Sequence, residues 1–402
     1  MSGFDNATAA IASVRRAAAA DRYSAMSFDV EWHPLAELAF LADDWRMLAS
    51  RALDPNVFYE PGFALAAAPL FGADARAALV WSRAPRQLVG FFPMHVERRH
   101  YGVPFAVMVG WTHPYAPLGT PLVDRDMAEP VVAAWIDDLA ADASLPDLML
   151  MPLLAQSGPL ATALADVLAR RGCQATSFDR HQRPLLAPGD SRADYFQRTM
   201  SSKRLRNMRR RQRRLQDLGN VAIEQATDVN AIARGLDDFL SLEASGWKGR
   251  AGTAILNDER THTFIQQAVM ALGNEGKVLV HRLLTNGKTI GATLALKSGD
   301  TAWGWKVAYD EAYADYSPGV LTVAGLTESI LADPKIARVD SCTSANNTMA
   351  LETWGERLTM ADWLFSTRAN AEFSFGIASR MESLRRAAIA AAKSARDHIR
   401  GR

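Results

Sequence analysis

Residues 301–323, TAWGWKVAYDEAYADYSPGVLTV, gather the side chains best placed to do chemistry. Trp303, Trp305 and Val307 alternate with small or polar residues, which predicts a strand. An acidic, tyrosine-rich turn follows through Asp310, Tyr313, Asp315 and Tyr316. Ser317-Pro318-Gly319 then opens an apolar run. Serine suits an N-cap and proline the first helical turn, so a helix is expected from here to about Leu331. A helix that begins straight after a strand turns free N–H groups toward the strand's end, a site suited to phosphate. A well-capped helix without a ligand is the plainer reading of the same residues.

Trp247 and Lys248, set among Gly246, Gly249 and Arg250, read as a loop. An exposed aromatic there signifies contact with a ligand, whereas a buried one would only fill the core. His113, Pro114, Tyr115 and Thr120 fall in a comparable loop of the first half, and His281 sits within a strand pattern. Cys173 and Cys342 are far apart and lack metal-ligand neighbours, which argues against a disulfide scaffold or a zinc site; no metal is expected.

The elements that must position these residues are legible in outline. Helices are expected at 34–50, 61–70, 127–142, 158–171, 261–272 and 377–402. Strands are expected at 77–81, 87–96, 105–111, 147–152, 174–186, 277–284, 289–297, 303–309 and 337–342. The order helix, hairpin, strand, loop, helix, strand occurs twice. Residues 86–90 (RQLVG) match 287–291 (GKTIG) in turn, strand start and glycine. An internal duplication of a mixed α/β unit accounts for this. Between the halves, residues 191–219 form a long helix whose densest charge is Lys203 and the seven arginines of 204–214, with Leu205, Met208, Leu215 and Leu218 as a narrow apolar stripe.

A chain of 402 residues exceeds one ordinary core. The expected division is a flexible arm at 1–26, a first domain at 27–190, a second at 191–375 and a basic helix at 376–402. Forty-five basic and forty-four acidic residues nearly cancel, so no global field selects nucleic acid or membrane. No apolar stretch reaches membrane-spanning length and the N-terminus lacks a signal-peptide core, so a cytoplasmic protein is expected. Oligomeric state is not legible.

The second half resembles the GNAT superfamily of acyltransferases, and more narrowly the CelD-like proteins of cellulose and exopolysaccharide loci. SSKRLRNMRRRQRRLQDLG, LEASGWKGRAGTAI, VLVHRLLTNGKTIGATLAL, YDEAYADYSPGVL and VDSCTS carry the resemblance, over about residues 195–365. The first half then resembles a degenerate repeat, similar to the tandem arrangement of Fem peptidyltransferases. The resemblance implies two mixed-sheet GNAT-like folds, each with splayed central strands, and an acyl-CoA co-substrate, acetyl-CoA first, lying in the second splay. The family's glycine-rich pyrophosphate signature is reduced here to Gly319. A longer acyl-CoA or an aminoacyl-tRNA therefore stand beside acetyl-CoA as donors.

For the site, the resemblance implies that Val307 and Ala308 offer backbone to the acyl group. Tyr316, Ser317, Gly319, Val320 and Leu321 would cradle the donor. Tyr309 offers backbone with Val307 and Ala308, Asp310 and His281 are the base candidates, and Tyr309, Tyr313 or Tyr316 would protonate the leaving thiolate. Trp247 and Lys248 would wall the acceptor or the donor site, and His113 and Tyr115 would face a small-molecule or saccharide acceptor across the domain junction. The rival readings are a Fem-like transferase that uses tRNA through the arginine-rich helix, and a non-catalytic scaffold.

Overall fold

The computed structural model describes residues 27–189, 192–343 and 353–400, with side chains to 395. The expected N-terminal arm, the 190/191 boundary and Ser344 of the VDSCTS segment lie outside the described residues. The strands are β1 (Phe28–Pro34), β2 (Arg76–Arg83), β3 (Arg86–Glu97), β4 (Val107–Gly110), β5 (Leu122–Val123), β6 (Leu148–Ala155), β7 (Ala175–Leu186), β8 (Val221–Gln225), β9 (Val278–Thr285), β10 (Lys288–Ser298), β11 (Thr301–Tyr309), β12 (Arg338–Asp340) and β13 (Glu356–Ser366).

All thirteen join one sheet in the order β1-β2-β3-β4-β6-β13-β7-β12-β11-β10-β9-β8, with β5 beside β3. The order reads alike from both ends. Neighbours are antiparallel except at β4/β6 and β11/β12, which are parallel and occupy equivalent places. The duplication inferred from sequence thus appears as two like halves in one mixed α/β sheet. The closing strands are exchanged. β7, from the first half, pairs with β12 of the second, and β13, from the second, pairs with β6 of the first. β7 and β13 pair with each other at the centre.

The matched RQLVG and GKTIG segments explain themselves in three dimensions. In each hairpin the register skips one residue, Val89 or Ile290, just before the glycine. A Cβ on Gly90 would lie 2.7 Å from Val131 Cγ1, and one on Gly291 2.5 Å from Thr322 Oγ1. Each glycine lets the same helix, Ala128–Ala141 or Pro318–Ala332, press onto the sheet.

Several elements depart from expectation. Residues 35–41 form a 3-10 helix before Ala42–Ser50, so the single helix expected at 34–50 is two pieces. The arginine-rich helix is broken as well. Tyr195–Thr199 ends at Met200, and a new helix, Ser202–Gln216, starts where the Ser201 hydroxyl accepts from Arg204 N. β1, β13 and the helix Val229–Ser245 were not anticipated. That helix and Glu259–Asn274 cover one face of the second half, while Pro318–Ala332 covers the other. Phe63 and Phe71 of the first half meet Phe264 of the second edge to face, which helps weld the halves. No helix among the described residues is long and apolar enough to cross a membrane.

Candidate acyl-transfer cleft

β11 and β12 are paired only over Thr301–Trp303 and Arg338–Asp340. Beyond that point they part, and the gap opens a cleft of about 320 Å³. Leu242 and Glu243 from the helix on one face line it, as do Val323 and Leu326 from the helix on the other, so the cleft runs through the sheet. Gly304 faces Trp354 across the gap; a Cβ there would stand 3.2 Å from the indole. The equivalent opening in the first half is filled. The 111–121 loop folds into it, with Gly119 N donating to Leu153 O and a Cβ at Gly119 meeting Pro152 O at 2.0 Å, too close for any side chain.

Register explains what β11 presents to the cleft. Leu294 pairs with Lys306 but Ala295 with Gly304, so Trp305 is an extra residue, a β-bulge. A bulge re-aims the neighbouring side chains. Trp305 Nε1 donates to Tyr115 O at 2.8 Å, and the Lys306 ammonium lies 4.2 Å from the Tyr115 ring and 5.7 Å from that of Trp305. Burial, aided by Lys248, pushes Lys306 down to about 8.

Across the cleft, Glu243 is buried. It accepts from Lys248 Nζ at 2.5 Å and from Ile255 N at 2.9 Å. Trp247 and Lys248 are not in a loop but open the one-turn helix Trp247–Arg250. Glu311 ties that turn to the end of β11, accepting from Trp247 N at 2.7 Å and Arg250 at 2.5 Å. Trp247 is 62% exposed, so it does not fill the core. The floor is held by a buried pair, Arg183 to Asp340 at 3.0 Å. Arg183 also donates to Pro117 O, and Asp340 accepts from Cys342 N.

The residues singled out in the sequence divide into those the structure brings to the cleft and those it does not. Val307, Ala308, Tyr309, Trp247 and Lys248 line it. Tyr115 reaches Lys306 and Trp305 beside it. His113 stacks on Phe71 at 4.2 Å within the junction, and burial pushes it down to about 3.

His281 is not at the cleft. Strand alternation sets it between Leu279 and Leu283 on the face that meets Pro318–Ala332, and both ring nitrogens lack partners. Burial lowers it to about 4, and it is not among the residues that line the cleft. Asp310 faces away from the cleft, with Lys288 at 2.8 Å and Ala312 N donating to it. Lys288 holds the carboxyl below its usual range, so the side chain caps the turn rather than serving as a base.

Ser317 precedes the helix as expected, but its backbone is left-handed (φ 53°) and its side chain makes no capping bond. Gly319, Val320 and Leu321 are buried in the first turn and do not line the cleft. Tyr316 is half-buried under the Arg214 guanidinium, 5.2 Å from its ring. Lys306 and Glu243 were missed. The sequence signal was a single lysine inside an aromatic strand, WGWKVAY, and an acid just ahead of WKG.

Residues 202–347 match the family model described as an acetyltransferase (GNAT) domain. No curated protein matches the chain in sequence. Solved structures are similar in fold. FemX is 9% identical, over 80% of this chain and 95% of its own, with a TM-score of 0.55. A conserved protein of unknown function from Bacteroides thetaiotaomicron is 12% identical, over 84% and 99%, with a TM-score of 0.53. The C-terminal domain of a putative lysylphosphatidylglycerol synthetase from Agrobacterium fabrum is 9% identical, over 87% and 96%, with a TM-score of 0.52. The fold is therefore that of tandem GNAT-like units, with the matched domain in the half that carries the cleft.

Proposed function

We propose that the protein is an acyltransferase that moves an acetyl or longer acyl group from acyl-CoA to an amine or hydroxyl of a small molecule or saccharide precursor. The observation that carries this reading is the cleft through the sheet where β11 and β12 part. A donor can enter beside Val323 and Leu326 while an acceptor enters beside Trp247 and Tyr115. Such transfer needs the two reactants held together and N–H groups near the developing oxyanion, and little covalent chemistry from the protein. Val307 to Tyr309 are the backbone segment for that role. On the donor side, the first helical turn leaves the N–H groups of Gly319 and Val320 without partners within the helix, and Arg214 lies over the ring of Tyr316, two residues before that helix. Phosphates fit this pairing, which supports a CoA donor.

Calorimetric titration with acetyl-CoA and a long-chain acyl-CoA tests the reading, with Gly304→Val as the blocking variant because its side chain would fill the gap toward Trp354. Saturable binding that the variant loses supports it. Absence of binding to either donor by the wild-type protein overturns it. The arginine-rich helix, eight basic residues and no acid within Ser202–Gln216, favours an aminoacyl-tRNA donor as the second reading. Salt-dependent tRNA binding in place of acyl-CoA binding would establish that.

A further inference from the structure

Among the described residues, charges around the cleft are paired with one exception. Lys248 is taken by Glu243, Arg250 by Glu311 and Arg183 by Asp340. The Lys306 ammonium has neither a hydrogen bond nor an ion pair among the described residues; only the Tyr115 and Trp305 rings accompany it. Glu243, the carboxylate that acts on it, already holds two donors. A bulge turns this ammonium to the acceptor side of the sheet, facing Trp247 and Lys248. A desolvated cation without a counter-ion is costly, and a ligand that brings the missing charge removes that cost.

We infer that the acceptor carries a single carboxylate, held by Lys306 and packed between Tyr115 and Trp305, with its amine or hydroxyl reaching toward the parted strands. A phosphate dianion would call for a second free cation, and the described cleft residues supply only one. The aromatic rings add a flat apolar seat next to the charge. The Ser341 and Thr343 hydroxyls, 3.0 Å apart on the opposite wall, can serve the remaining oxygen atoms of a polar acceptor. The inference rests on the acyl-transfer reading for the word acceptor, but the binding it requires needs no donor.

The test is a titration of the full-length protein with benzoate and with benzamide, its neutral isostere, followed by the fluorescence of the cleft tryptophans. Benzoate should bind at least about tenfold more tightly than benzamide, a margin within reach of one charge-assisted contact. Lys306→Met should erase the preference and Lys306→Arg should keep it. The wild-type preference should fade as pH rises past about 8, while that of Lys306→Arg should persist. Glu243, Lys248 and Cys342 also act on Lys306, so the arginine variant separates its titration from theirs. Should Lys306→Met fail to fold, the arginine variant and its pH profile decide alone. Equal binding of the two probes, no binding of either, or a preference indifferent to both substitutions overturns the proposal. Carboxylate binding without acyl-CoA binding would keep the anion site and reject the transferase reading.

Discussion

Replacing His281 by leucine separates a structural residue from a catalytic one. The imidazole is 2% exposed, with both ring nitrogens unpartnered, and burial lowers it from 6.5 to about 4. As pH falls below 6.5 the unfolded chain takes up a proton that the folded chain refuses. Stability is therefore full above 6.5 and declines toward about 4, where the folded form protonates as well. At about 1.4 kcal/mol for each pH unit, the whole window is worth about 3 kcal/mol, of which about 2 kcal/mol is gone near pH 5. His281→Leu has no proton to bind, so this part of the acid limb should vanish, and stability near neutral pH should equal or exceed wild type because no polar ring remains unsatisfied. Urea unfolding from about pH 7.5 to about pH 4.5 reads both. His113, pushed down to about 3 by burial, stays in both proteins and cancels from the difference. Parallel stability curves for the two proteins would refute the burial argument. A variant that stays stable and binds acyl-CoA but no longer turns over would restore His281 as a base.

Two further substitutions probe the cleft's framework. Arg183→Met leaves Asp340 buried without its cation and should cost about 3–5 kcal/mol in denaturant unfolding; a cost below about 1 kcal/mol would mean the pair does not hold the floor. Gly249→Ala places a Cβ 1.7 Å from Ala244 O, so the Trp247 turn must shift. A stability loss of about 1–3 kcal/mol with altered tryptophan fluorescence is expected, and an unchanged spectrum would contradict the close approach.

What the sequence disclosed was local. Both hairpins, the helix from Pro318 and the paired RQLVG and GKTIG segments were readable because alternation and glycine punctuation act over a few residues. The exchange of β7 and β13 was not, because each pairs with a strand from the other half and nothing in its own pattern names the partner. Lys306 escaped notice for a related reason. Strict alternation runs through WGWKVAY, whereas the bulge that re-aims the lysine is a property of the pairing with β10. His281 and Asp310 were chosen by residue type, and type does not report which face of a sheet a side chain takes or whether a lysine already occupies it. Ser317 had the right position but a left-handed backbone, set by the tight 3-10 turn before it.

The exchanged strands govern how the protein can be made. A ribosome releases β6 (Leu148–Ala155) long before β13 (Glu356–Ser366) exists to cover its open side. The N-terminal half must therefore wait without that partner strand, its edge able to pair with a neighbouring nascent chain, until β13 has emerged. Premature termination before Glu356 yields a product that lacks the strand covering that edge. Fusing, trimming or expressing the halves separately forfeits the strand each lends the other, so the heritable unit here is the full pair rather than either copy.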